Sequence, residues 1–239
     1  MSERFSGKVV LVAGGTGGLG QAVSLAFLQA GARVVVTYRK QQEFAALKKA
    51  AGAGASSLTG YEVDVTDYAA AGKLVDTVLA ENHRLDAVVI TVGGYAGGLK
   101  LWEMDTKVFD QMVALNLRAG YALARVAIPA MLKQGHGALV NVSSKAAFDH
   151  AAGASAYAAS KAAALALMDS LAADVKGTGI RVNSVLPSIM DTEANRKAMP
   201  GADFAKWPKT EDVARIILFL CSDDARVVQG AAVPVYGDS

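Results

Sequence analysis

Seven short runs limit what this chain can fold into. KVVLVA at 8–13, RVVVTY at 33–38 and DAVVIT at 86–91 are apolar at consecutive positions, not alternate ones. The stretches at 138–142 and 180–186 are similar, and further strands are expected at 57–63 and 232–236. A strand with one wet face alternates; a strand apolar on both faces has to be covered on both. Helical patterns separate the runs: to about Ala30 after the first, then 41–51, 67–82, two over 106–133 broken near Asn116, 155–176 and 210–221. This alternation predicts an α/β fold, a parallel seven-stranded sheet, doubly wound, with helices on both faces. No linker and no tandem repeat divides the 239 residues, so one domain is expected over 1–239.

Several function classes drop out. Hydrophobic residues make up 52% of the chain and charged ones 19%, which is not the balance of a disordered segment. The apolar runs are punctuated well short of the roughly 18 residues a membrane span requires. Met1–Ser6 lacks the apolar core of a secretory leader. Net charge is +2 with both signs interspersed, which argues against a nucleic-acid surface. Cys221 is the only cysteine, excluding an intrachain disulfide and a multi-thiolate zinc site, and His83, His136 and His150 are too scattered for a metal centre. Cys221 itself, closing ARIILFLC, reads as a small buried hydrophobe. The expectation is a cytoplasmic protein that meets a small molecule, with no membrane, nucleic-acid or metal partner.

Between the first strand and the first helix lies Gly14-Gly15-Thr16-Gly17-Gly18-Leu19-Gly20. Glycines let a pyrophosphate approach the backbone, and a helix N-terminus offers unpaired N–H groups and positive potential. A tight strand-to-helix turn would use glycine as well, so position raises the odds of a nucleotide without settling it. The second strand ends in Tyr38-Arg39-Lys40, with no acid before Glu43. A carboxylate there accepts from the 2′-hydroxyl of NAD, whereas a 2′-phosphate favours arginine, so these residues favour NADP(H) over NAD(H). Read as solvated helix-start charges, Arg39 and Lys40 leave the choice open. Asp64, ending the third strand, is placed to accept from an adenine amino group with Val65 packing on the ring; capping of the next helix by Asp64, Thr66 or Asp67 competes with that role.

The chemistry concentrates in SSKAAFDHAAGASAYAASK, residues 143–161. Tyr157 and Lys161 are four apart on an alanine-rich helix and share one face. A phenol has a reference pKa of about 10 and is a poor proton carrier near neutrality. A neighbouring ammonium lowers that value and makes tyrosine usable as a general acid or base. Ser144, at the mouth of the preceding strand, is within reach of the same reacting oxygen.

The ordered set resembles the short-chain dehydrogenase/reductase family over essentially the whole chain. Gly14, Gly18 and Gly20 match its cofactor loop, with Ala13 where threonine is more usual. Asp64 matches its adenine contact, Asn116 its helix-kink asparagine, and Ser144, Tyr157 and Lys161 its serine, tyrosine and lysine. Residues 187–192, PSIMDT, resemble the segment over the nicotinamide, with Ser188 in place of glycine. The resemblance implies a Rossmann-type fold and a homotetramer or homodimer packed through the helices at 106–133 and 155–176. It also implies hydride transfer between a nicotinamide and a carbonyl or alcohol. Tyr157 would then supply the proton, Lys161 hold the ribose and lower the Tyr157 pKa, Ser144 polarise the substrate oxygen, and Asn116 hold a water linked to Lys161. Cofactor contacts are expected from Gly14, Thr16, Gly18, Leu19, Gly20, Tyr38, Arg39, Asp64, Val65, Gly93, Gly94, Tyr157, Lys161, Pro187, Ile189 and Thr192. Substrate contacts are expected from Ser144, Tyr157, Tyr95 and Met190, with Trp102, Met199, Phe204 and Trp207 as further lining and 187–208 as an irregular, mobile lid; taken singly, the aromatic and methionine residues among these are more often core.

Two departures stand out. The family's Asn-Asn-Ala-Gly after the fourth strand is Thr91-Val92-Gly93-Gly94, so a structural side-chain contact is missing or replaced. The stretches 93–98 and 191–204 resemble dihydropteridine reductase, a branch of the same family, which makes pterin reduction an alternative. That branch tends to carry Ala at 144 and an acid near 38–39, which this chain lacks. A non-catalytic NADP(H) sensor is the alternative from another class, opposed by an intact proton donor.

Overall fold

The structure, a computed structural model, describes residues 4–238. Met1–Glu3, half of the stretch read above as too polar for a leader, lie outside the described residues, as does Ser239. The chain runs β1 (Val9–Ala13), α1 (Gly18–Gln29), β2 (Arg33–Tyr38), α2 (Gln41–Ala50), β3 (Leu58–Glu62), α3 (Tyr68–Asn82) and β4 (Ala87–Ile90). It continues with α4 (Thr106–Val113), α5 (Ala119–Gln134), β5 (Gly137–Val142), α6 (Ser155–Asp174), β6 (Ile180–Pro187), α7 (Glu193–Ala198), α8 (Thr210–Cys221) and β7 (Ala232–Val235).

The sheet order is β3-β2-β1-β4-β5-β6-β7, and each neighbouring pair is parallel. Consecutive apolar residues serve opposite layers. Val9, Leu11 and Ala13 pack with α3, α5 and α6, while Val10 and Val12 pack with α1 and α8. β4 divides likewise, with Val88 and Ile90 on the first face and Ala87 and Val89 on the second. Removing the bulk of one such buried leucine or isoleucine costs about 2–5 kcal/mol, so this double coverage dominates the fold's stability. The expected doubly wound seven-stranded sheet is what the chain forms.

The strand order reverses between β1 and β4, and there the carboxyl ends open a crevice. In a pair of details the structure differs from the sequence reading. Asn116 does not mark a break between helices; it lies in a π-helical turn, Ala114–Arg118, that carries α4 into α5. One extra residue in the turn rotates Asn116 inward, where its side chain is buried. The stretch 187–208 is not irregular either. It holds α7, capped by Thr192, and a short 3₁₀ turn at Phe204–Lys206.

Candidate active site

The glycine loop is shaped by contacts that leave no room for side chains. Gly14 has φ +79°, and a Cβ on Gly20 would land on the Gly14 carbonyl oxygen. The Gly14 N–H donates to Thr37 Oγ1 at 2.9 Å, so Thr37 does from β2 what a threonine at position 13 could have done. The Thr91 hydroxyl donates to the Ala13 and Gly14 carbonyls at 2.7 and 3.1 Å, which ties the end of β4 to the glycine loop. Gly17 precedes α1, no side chain caps that helix, and no acid stands in its first turn. Leu19 is buried in the α1 layer. The first N–H groups of α1 are thus left to an anion, and the cradle fits the phosphates of a dinucleotide.

Thr192 closes over this loop: its Cγ2 lies 3.1 Å from where a Gly18 Cβ would stand. The segment behind it is pinned. The Arg196 guanidinium makes two bonds to Asp191, at 2.5 and 2.7 Å, and lies 4.9 Å over the Phe204 ring. Pro187 ends β6, and Ile189 stands exposed beyond it.

Beyond the end of β3, the Thr66 N–H and hydroxyl both donate to Asp64 Oδ1, which holds that carboxyl below its usual range. The competing capping role falls to Asp67, which accepts from the Ala70 N–H. Val65 is packed into the core layer of α3 and α5. Tyr38 stacks on Phe44, ring centroids 4.9 Å apart, so its ring is already partnered. Arg39 and Lys40 are exposed at the rim.

Ser144, Tyr157 and Lys161 stand where β5 ends against α6. Lys161 is 5% exposed, and its Nζ donates to the Val142 carbonyl at 2.9 Å. Burial lowers its pKa from 10.5 to about 8. The Tyr157 pKa is raised, first by burial; the Ser144 hydroxyl opposes the rise and Tyr95 adds to it. This corrects the expectation that Lys161 depresses the phenol. The ammonium is turned to Val142, and the cost of burying a phenolate sets the direction. Tyr157 is therefore held as a phenol, the form that donates a proton. The Ser144 hydroxyl also accepts from the Ala146 N–H at 3.1 Å.

The Asn116 side chain joins two segments of the chain. Its Oδ1 accepts from the Gly94 N–H at 2.9 Å, and its Nδ2 donates to the Gly94 carbonyl and to Ser160 Oγ, each at 3.0 Å. Ser160 in turn donates to the Tyr157 carbonyl at 2.8 Å, and Ser143 to the Lys161 carbonyl at 3.0 Å. Asn116 is a positioning residue, tying the loop after β4 to α6. A Cβ on Gly93 would stand 2.9 Å from Asn116 Oδ1 and 3.2 Å from Lys161 Nζ, so the three share one floor. Sequence reading missed Thr37, Ser143 and Ser160; the available signal was a hydroxyl set among apolar neighbours.

The mouth is aromatic. Tyr95, 70% exposed, sets its ring edge-on to Tyr157 with centroids 5.0 Å apart. Other expected lining residues stand elsewhere. Met190 packs with the core layer under α1 and α8, and its carbonyl accepts from Asn195. Trp207 is buried against Phe204, and Trp102 is 80% exposed. Met190 comes three residues after β6, and its side chain is half-buried against that layer.

A family model described as short chain dehydrogenase matches residues 8–203. The 3-oxoacyl-(acyl-carrier-protein) reductase FabG of Thermotoga maritima is 31% identical, over 98% of this chain and 98% of its own length. The solved structure of ElxO with NADP bound matches with a TM-score of 0.91 at 27% identity, covering 96% of this chain and 97% of that one. Carveol dehydrogenase from Mycobacterium avium in complex with NAD shares the fold, with a TM-score of 0.90 at 24% identity over 98% of both chains. The protein belongs to the short-chain dehydrogenase/reductase family of oxidoreductases.

Proposed function

We propose that this chain is an NADP(H)-dependent oxidoreductase that moves hydride between the nicotinamide and a carbonyl or alcohol carbon, with Tyr157 as general acid and base. The observation that supports the reading is that Ser144 bonds Tyr157, and Lys161 stands one helical turn on, at the carboxyl end of the sheet beside a glycine cradle. The cofactor, when bound, supplies the hydride. Gly14, Thr16, Gly18 and Gly20 hold its phosphates, Asp64 its adenine, and Arg39 with Lys40 a 2′-phosphate. Lys161, whose ammonium has donors beyond the one on Val142, would hold the ribose hydroxyls. Ser144 donates to the substrate oxygen and fixes it beside Tyr157. In reduction Tyr157 Oη delivers its proton to that oxygen; in oxidation the phenolate takes it back.

ElxO is solved with NADP and the carveol dehydrogenase with NAD, so the fold admits both, and the choice rests on residues 38–43. FabG is named for reduction of a 3-oxoacyl group, which supports carbonyl chemistry, and none of the three names carries a pterin. The site belongs to one domain spanning 1–239, with 187–208, which carries Thr192 against the glycine loop, as its lid, and the small-molecule substrate enters past Tyr95. Among the described residues no helix is long and apolar enough to cross a membrane, and we assign the protein to the cytoplasm. Exposed Leu101 and Phe109 beside an open hollow of about 370 Å³ between α4 and α6 support a homotetramer or homodimer.

The test is NADPH oxidation against a panel of ketones, quinones and quinonoid pterin. Turnover of a ketone that Tyr157→Phe abolishes supports the reading. Pterin as the preferred substrate replaces it with the pterin branch. Tight NADPH binding with no turnover of anything replaces it with a sensor.

A further inference from the structure

The rim of the glycine loop carries a polar bridge that hydride transfer does not use. Thr16 Oγ1 donates to Glu43 Oε2 at 3.2 Å, joining the loop to the first turn of α2. The other carboxylate oxygen lies 3.5 Å from Lys40 Nζ. Arg39 is exposed beside them, and its charge reaches Asp64. Two cations and two carboxylates therefore share the rim where β2 ends, and its formal charge is balanced.

We infer that Glu43 is a specificity-determining residue: its carboxylate sits where a 2′-phosphate would bind and limits the preference for NADPH over NADH. The inference rests on the dinucleotide reading given above. A 2′-phosphate at this rim draws on Arg39, Lys40 and the Thr16 hydroxyl, and Glu43 holds the last two. It also meets a like charge, which it must push aside before those donors are free. A 2′-hydroxyl brings no charge and can donate to the same carboxylate, the role a strand-end acid plays in NAD sites. Glu43 thus supplies from α2 the acid that Tyr38 and Arg39 leave out at the strand end. Its side chain is 43% exposed, so it can swing into solvent and let NADPH in. The chain then accepts both cofactors with a modest gap between them, although Arg39 and Lys40 alone would predict a wide one.

Glutamine separates charge from shape, because Glu43→Gln can still accept from Thr16. Binding of NADPH and of NADH to the wild type, Glu43→Gln and Lys40→Gln is measured by titration calorimetry, at low and at high salt. In Glu43→Gln NADPH should tighten about tenfold while NADH stays level or weakens; in Lys40→Gln NADPH should weaken about tenfold. High salt should narrow both changes, as expected of charges at an exposed rim. A cofactor ratio that moves less than about twofold in Glu43→Gln overturns the assignment, as does equal tightening of both cofactors. If the wild type binds neither dinucleotide, the cofactor reading itself falls and takes this inference with it. If it binds but the ratio does not move, only the role of Glu43 is lost.

Discussion

The two ends of the sheet each bury polar groups, and they treat them in opposite ways. At the amino end Asp86 sits just before β4 and is 6% exposed. Its carboxylate accepts two bonds from Arg84, at 2.6 and 2.7 Å, and one from the Val9 N–H at 2.8 Å. His136 Nε2 lies 3.2 Å away. These partners outweigh burial and hold the Asp86 pKa below its usual value. At the carboxyl end Lys161 has one carbonyl partner, and burial brings it down to about 8. Tyr157 is pushed the other way, toward the neutral phenol. Asp86 is satisfied by the protein; Lys161 is kept under-satisfied, with donors to spare for a ligand. At the same depth of burial, one end pairs its charge fully and the other leaves an amine with unfilled donors.

Substitutions at the two ends should separate activity from stability. The largest effect is expected for Tyr157→Phe, which removes the proton and leaves the ring on Tyr95. Reductive kcat should fall by about 10²–10⁴, with the melting temperature little changed. Near-normal turnover in that variant would erase the functional half of the contrast.

Lys161→Met should cost activity and add stability. A fall from 10.5 to about 8 means the folded chain opposes the charged amine by roughly 3 kcal/mol. The folded pKa is depressed, so in the wild type this penalty is full below about 8 and fades as pH rises toward 10.5. Urea unfolding at pH 7 should show Lys161→Met more stable by up to that amount, with the gain shrinking toward pH 10. A methionine variant less stable than wild type at neutral pH would mean Lys161 is a structural clamp like Asp86. In the same pH range, kcat/KM for NADPH should be level below about 8 and decline above it, as the free enzyme loses the Lys161 charge.

What the sequence made legible follows from distance along the chain. The parallel sheet could be read because each strand's two-sided apolar pattern is local. The same holds for Tyr157 with Lys161 and for the glycine loop, whose residues stand within one turn or strand end of each other. Contacts that join distant segments were hidden. Nothing in the order of residues shows that Thr37 receives the Gly14 N–H, that Asn116 holds Gly94 and Ser160 together, or that Glu43 reaches Thr16. The Tyr157 pKa went the other way for a related reason. Spacing places an ammonium nearby, but only packing decides that it faces Val142 and that burial prevails.

At the amino end Asp86→Asn should cost about 2–3 kcal/mol of stability and leave kcat unchanged, since it breaks a paired, buried carboxylate far from the crevice. The folded pKa is lowered, so the carboxylate's contribution is complete above about 3.9 and is lost as pH falls through the folded value. Wild type and variant should therefore differ at pH 7 and converge in strong acid. An equal gap at both pH values would show that packing, not charge, is what Asp86 contributes.

The smallest change is expected at His136. Its side chain is 52% exposed and touches Asp86 only through a 3.2 Å contact, beside the two shorter bonds from Arg84. Solvent screens a half-exposed pair, so His136→Gln should lower stability by about 0.5 kcal/mol or less at neutral pH, read from the urea midpoint at constant slope. Arg84→Gln, which removes both short bonds, should cost several times more. If the two variants cost the same, the Asp86 cluster works as one cooperative network. The contrast with Lys161 would then be between a network and a single contact, not between satisfied and unsatisfied charge.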